Sequence, residues 1–180
     1  MMAALLACSV WPERPEPPAL HDFGVARPGD SGFPWSEAEV TAPEWLQDTR
    51  LRYRLLYSRP TEVRSYSRDR WVAPPAALLA QRLNDSHQIG SCRLRIELQS
   101  FEQIFAHPGD SRVTLVFQAM AYSNGKDKPV AERSFRFDLQ APSADAAGAV
   151  QSFPRLIERA ISALRDWAMT IRPSNYTERQ

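Results

Sequence analysis

From Cys92 the chain alternates with a strict period of two: Cys92, Leu94, Ile96 and Leu98 interleave with Arg93, Arg95, Glu97 and Gln99. This is the mark of a strand with one face buried, because successive side chains of a strand point to opposite faces. The phase then slips, and Phe101 and Phe105 continue the apolar series on odd numbers. One extra residue near Ser100, a β-bulge, restores both halves to the same face. His107-Pro108-Gly109-Asp110 reads as a turn, and Val113, Leu115, Phe117, Ala119 and Ala121 mark the inner face of the next strand. Asn124-Gly125 marks a second turn before Phe135, Phe137 and Leu139, so the pattern predicts a three-strand antiparallel meander.

Such a meander needs a second layer over its apolar face. Val150, Phe153, Ile157, Ile161, Leu164, Trp167 or Ala168, and Ile171 recur at three- and four-residue spacing behind Asp145, a good N-cap, and predict a helix that packs on the sheet. Gly148 and Pro154 predict a kink or a late start for its first two turns. The opposite face of the middle strand, with Val116, Met120 and Tyr122, is apolar enough to predict a cover, either the N-terminal segment or another subunit.

Upstream, Leu51, Tyr53, Leu55 and Tyr57 alternate with Arg52, Arg54 and Leu56 as a strand, and residues 35–40 form a weaker one. Pro74-Pro75 opens a helix through Asn84 on a stripe of Leu78, Leu79 and Leu83, ending before Gly90. The expected fold is therefore α/β, a mixed five-stranded sheet with two main helices. With 180 residues, the chain makes a single domain over 35–171 and a polar tail over 172–180.

The segment before that domain is different in kind. Residues 9–34 carry Pro12, Pro15, Pro17, Pro18, Pro28 and Pro34 with almost no apolar periodicity, which reads as a tether spanning roughly 60 to 80 Å if extended. The patch His21-Asp22-Phe23-Gly24-Val25 interrupts it, either as a segment docked on the domain or as more linker. In front of it, Leu5-Leu6-Ala7-Cys8 resembles a bacterial lipobox, whose cysteine becomes the lipidated first residue; residues 1–8 then form a short lipoprotein signal. The seven residues before Cys8 include no Lys or Arg, fewer and less charged than a full secretory leader.

Chemistry is sparse. Cys8 and Cys92 are the two cysteines, and with His21, His87 and His107 they make no metal-ligand pattern. No phosphate-binding loop, nucleophile elbow or metalloprotease motif occurs, and His107, Asp110 and Ser111 sit too close within one turn for triad geometry. We expect neither catalysis nor a cofactor. A net charge of +1 gives no whole-molecule field for nucleic acid or anionic membrane. One local concentration stands out: Arg50, Arg52, Arg54, Arg59, Arg64, Arg68 and Arg70 among Tyr53, Tyr57, Tyr66 and Trp71. It is open to three readings: a solvated strand face, a protein or headgroup interface, or a single-stranded nucleic-acid platform.

Five runs resemble one known family. Ala42-Pro43-Glu44-Trp45-Leu46, Tyr53-Arg54-Leu55, Tyr66 to Pro75 (YSRDRWVAPP), Phe101-Glu102-Gln103-Ile104-Phe105 and Ala141 to Val150 (APSADAAGAV) look like the ABC-type transport auxiliary lipoproteins of the paraquat-inducible protein C type. In order and spacing the resemblance covers about residues 20–170. It implies a non-enzymatic outer-membrane lipoprotein facing the periplasm, lipidated at Cys8, serving an ABC-type system that moves lipids between two membranes. Its partners would be a permease, an ATPase and a bridging protein with the mammalian-cell-entry domain. The implied fold is similar to the anticodon-binding and TolB N-terminal arrangement. The motif residues Trp45, Tyr66, Trp71 and Pro74-Pro75 are then either core and turn residues or part of a partner-binding surface, for which Arg54, Tyr66, Arg68, Arg70 and Trp71 are the candidates. A homo-oligomer and a lipid-holding cavity in the domain are further expectations.

Overall fold

The computed structural model describes residues 16–25, 32–85, 88–123 and 125–171. Cys8, the start of the tether and the tail after Ile171 lie outside the described residues.

The spine is β5 (Gln88–His107), the alternating strand and its continuation joined in one 20-residue element. Along one edge it pairs antiparallel with β6 (Asp110–Tyr122). The pairing runs Leu98↔Phe117 and then Ser100↔Val116, two steps on β5 for one on β6, which is the bulge that the phase slip predicts. Leu94, Ile96 and Leu98 before it and Phe101 after it are thereby all buried on the side of the helices. Pro108-Gly109 closes the hairpin, with Gly109 at φ +82° where a side chain would be strained. β7 (Ala131–Gln140) completes the meander on β6 with an unbroken register.

The other edge of β5 takes two strands end to end. β2 (Phe33–Thr41) runs parallel to its first half, and β3 (Arg50–Leu55) pairs parallel at Tyr53↔Gln103 to Leu55↔Phe105. β2 and β5 come so close that a Cβ on Gly90 would lie 1.9 Å from the Pro34 carbonyl oxygen. The outer edge of β2 has no strand beside it; instead Asn84 accepts from the Ala38 N–H at 3.0 Å and donates to the Ala38 carbonyl at 2.8 Å. One side-chain amide thus does for Ala38 what a neighbouring strand would do. β3 turns back into β4 (Arg59–Trp71), and β1 (Ala19–His21) adds parallel to the end of β4 at Ala19↔Asp69 to His21↔Trp71.

The described residues thus form a seven-stranded mixed sheet rather than five strands. The two extra strands, β1 and β4, carry no alternation. β1 has three residues. In β4 the register jumps between Arg50↔Arg70 and Arg52↔Ser65, so Tyr66 and Trp71 both turn inward while Ser67 and Arg68 are both exposed. An irregular strand of this kind erases the period-two signal.

Both α-helices of the described residues lie on one face. α1 (Pro75–Asn84) packs on β2 and buries Leu78, Leu79 and Leu83, and α2 (Ala146–Thr170) packs on β6 and β7 with Phe153, Ile157, Ile161, Leu164 and Trp167 inward. α2 starts at Ala146 and runs without a break through Pro154. Gly148 belongs in its first turn for a packing reason, since a Cβ there would stand 2.0 Å from the Ser143 carbonyl oxygen.

Of the two covers expected for the second sheet face, the N-terminal segment is not the one: among the described residues it goes to the β4 edge and the helix side, not across that face. Val116 and Met120 are half-buried there. Arg95 pairs with Glu39 at 3.0 Å and lies over the Tyr122 ring, Gln118 meets Glu132, Arg136 pairs with Asp138, and Arg54 pairs with Glu102. The aliphatic stems of such long polar residues can cover part of the neighbouring apolar surface.

Candidate partner-binding surface

The five arginine and aromatic candidates do not share one surface. Trp71 is 1% exposed, with its ring against Phe23, Phe101 and Phe153 at centroid distances of 5.5, 5.6 and 5.4 Å. Tyr66 is half-buried on the same side, stacked near Tyr53 at 4.7 Å, and its hydroxyl donates to Gln103 Oε1 at 2.8 Å. Arg54 lies elsewhere, on the open sheet face, where Nε and Nη2 donate to the two oxygens of the buried Glu102 at 3.2 and 3.4 Å. Arg68 and Arg70 are exposed. The aromatic side chains that a nucleic-acid platform would need for base stacking are therefore turned into the domain at Tyr66 and Trp71, leaving Tyr57 outward at the hairpin tip.

Around Gln103 these inward residues form a polar node. Gln103 is fully buried, accepts from Tyr66, and donates through Nε2 to Ser111 Oγ at 2.8 Å and to the Asp145 carbonyl at 3.1 Å. Burial pushes the Tyr66 phenol well above its usual value, so it stays a neutral donor and fixes which end of the amide faces it. At the outer end, the Ser143 hydroxyl at 2.6 Å and the Gly148 N–H at 2.8 Å hold the Asp145 carboxyl below the usual range while it caps α2. A carboxylate whose pKa is depressed by folding stabilises the fold above its unfolded value of about 3.9 and loses that contribution as pH falls through the folded value. In acid titration of stability, the gap between wild type and Asp145→Asn is expected to be constant above about pH 5 and to narrow below about pH 4.

The node joins runs that are far apart in the chain. Arg52, on β3, is buried under Trp45: it lies over the indole ring at 5.6 Å and its guanidinium donates to the Trp45 carbonyl oxygen and pairs with Asp48 at 2.8 Å. Tyr53 meets Tyr66 and Phe105; Trp71 meets Phe101; Gln103 meets Asp145. All five family-like runs touch another of their number or its immediate neighbour, so they define a junction of β3, β4, β5 and the start of α2.

Of the two readings of the patch His21 to Val25, docked segment or more linker, the structure shows the first, as an N-terminal latch; what the sequence did not show is that Ala19–His21 forms a strand. Beside the β1 ladder, His21 Nε2 lies 2.9 Å from Asp69 Oδ1, and Phe23 inserts into the helix-side core against Trp71 and Phe101. Part of the segment assigned to the tether, β1 and the start of β2 at Phe33-Pro34, therefore belongs to the sheet.

These features define a class: a two-layer α/β domain, one mixed sheet with two helices on one face, closed at the β4 edge by its own N-terminal strand. No protein-family model matches the chain, and no curated protein matches it. Among solved structures it is similar to a Xanthomonas campestris protein described under family DUF330, with TM-score 0.71 and 18% identity over 85% of this chain and 96% of that one. A second crystal structure, of an uncharacterized protein, aligns with TM-score 0.62 and 12% identity over 84% of this chain and 99% of that one. At these identities the likeness is one of fold. No helix among the described residues is long and apolar enough to cross a membrane.

Proposed function

We propose that this chain is a non-enzymatic lipoprotein adaptor, anchored at Cys8 in the outer membrane and facing the periplasm. There it serves as the auxiliary component of an ABC-type system that moves lipids between membranes and docks the mammalian-cell-entry-domain bridge protein. The observation that supports this reading is the convergence of four of the family-like runs on one junction, with the fifth, 42–46, held beside it through Arg52, within a fold shared with 96% of the chain of a DUF330 protein. Runs that resemble a family by chance have no reason to pack together. The lipobox-like Leu5 to Cys8 supplies the anchor. Exposed Arg68 and Arg70 are the members of the sequence-derived set that a partner can reach.

The test is the intact mass of the protein from the membrane fraction of its native host, expressed from its own locus. A mass beginning at Cys8 with a diacylglycerol and an acyl chain is the expected result. An unmodified product would remove the anchor and with it the adaptor role. Copurification of the bridge protein with the lipidated form, and its loss with a Cys8→Ser chain whose melting temperature is unchanged, is the companion readout.

A further inference from the structure

Residues 20–25 make a ridge on the outside of the domain between two grooves. One, of about 370 Å³, is lined by Leu20, Val72, Val150 and Pro154 together with His21, Asp22 and Gly24, and the exposed Asp22 also borders the second groove. The other, of similar volume, lies between Phe23 to Val25 and Leu78, Gln81, Arg82 and Asp85 of α1. Three apolar side chains project here: Leu20 is 64% exposed, Val72 54% and Val25 94%. Isolated exposed aliphatics need no explanation, but Leu20 and Val25 rise from one short stretch, Val72 is tied beside them by its N–H to the His21 carbonyl at 2.8 Å, and Leu20 and Val72 line one groove. Arg70 is the Cα partner of Leu20 across the β1–β4 ladder and is exposed, as is Arg68.

We infer that this ridge is a membrane-contact face, seating Leu20, Val25 and Val72 in the interfacial region of the bilayer that holds the anchor, with Arg70 and Arg68 at headgroup level. The inference rests on the lipoprotein reading above. What selects a bilayer as the occupant is chain length. Because β1 is fixed to β4 at Ala19, the chain between Cys8 and the sheet is residues 9–18, roughly ten residues whose reach is at most about 30 Å at the rise of extended polyproline. That is less than half the reach the sequence implies when all of 9–34 is counted as linker. The tether also arrives at the ridge itself, so the part of the domain nearest the anchored cysteine is the part with the projecting aliphatics. An aliphatic and arginine mixture at such a place matches an interface where apolar tips enter the acyl boundary and guanidinium groups meet phosphate.

The experiment uses the full chain with Cys92→Ser, leaving Cys8 as the single thiol, coupled to a maleimide phospholipid in phosphatidylethanolamine/phosphatidylglycerol vesicles that also contain a diazirine-bearing phospholipid. After photolysis, peptide mass mapping is expected to place most crosslinks within residues 19–25 and 70–78. Leu20→Asp/Val72→Asp, checked for unchanged circular dichroism and melting, is expected to lower crosslinking there at least fivefold. Crosslinks centred on the open sheet face around Val116 and Arg136, crosslinks spread evenly over the domain, or an undiminished yield in the double variant would each overturn the inference. Chemical coupling makes this result independent of native processing. An unlipidated mass from the host would sink the lipoprotein reading whatever the vesicles show, and misplaced crosslinks would sink the contact face while that reading stands.

Discussion

Trp71→Ala is expected to remove about 3–5 kcal/mol of unfolding free energy, a third or more of what a domain of this size typically has. The indole is among the largest fully buried side chains, and it holds three elements at once: Phe23 of the N-terminal latch, Phe101 just past the bulge in β5, and Phe153 on α2. Truncation leaves a cavity that three aromatic neighbours cannot all collapse into. A local consequence should precede global unfolding. Phe23 loses its edge-to-face partner, so hydrogen exchange at residues 19–23 is expected to rise to the rate of an unfastened segment under conditions where β5 and β6 stay protected. Trp71→Phe is the informative control. Among the described residues the buried indole Nε1 has no hydrogen-bond partner, so Phe gives up ring volume but also removes a polar group whose desolvation no described group repays. Its loss should therefore be well under half that of Ala in urea denaturation. Equal losses for the two variants would mean that the ring contacts are not what holds this junction.

That junction shows which parts of the structure could be read in advance. The meander, its bulge, both helices and their buried faces were legible because each rests on a local period: two residues for β5 to β7, three and four for α1 and α2. The exceptions are instructive. β4 was illegible because its register jump turns Tyr66 and Trp71 to the same side, and β1 because three residues carry no period. Gly148 and Pro154 looked like helix breakers, yet Gly148 is in the first turn because the Ser143 carbonyl needs the space of a missing Cβ. The N-terminal segment was one of two expected covers for the open sheet face, and its route to the β4 edge was illegible because the pairing of β1 with β4 leaves no local period. The candidate surface fared unevenly for the same reason. Residue type placed arginines and aromatics in one stretch, but only the three-dimensional register sorts Trp71 and Tyr66 inward, Arg54 to the far face, and Arg68 and Arg70 outward.

Gln103→Leu is expected to cost about 2–4 kcal/mol, although leucine nearly matches glutamine in size and is the more apolar residue. The reason is what stays behind. Gln103 serves the Tyr66 hydroxyl, the Ser111 hydroxyl and the Asp145 carbonyl, and all three lose a partner around a fully buried position. Ser111 retains the Ser143 carbonyl at 3.4 Å, a long bond, and the Asp145 carbonyl retains the Ala149 N–H at 3.2 Å, while the contacts that tie β4 and the start of α2 to β5 are lost. A double-mutant cycle separates partner loss from packing. In Tyr66→Phe the unmet hydroxyl is absent, so adding Gln103→Leu to that background should cost about 1–2 kcal/mol less than adding it to wild type. Full additivity in thermal or urea unfolding would show that Gln103 acts by filling space, and β4 would then be held to β5 by ring packing alone. A measured coupling would make the same amide responsible for both the helix start and the β4 strand, and would explain why sequence runs more than seventy residues apart, at 66–75 and 141–150, belong to one resemblance.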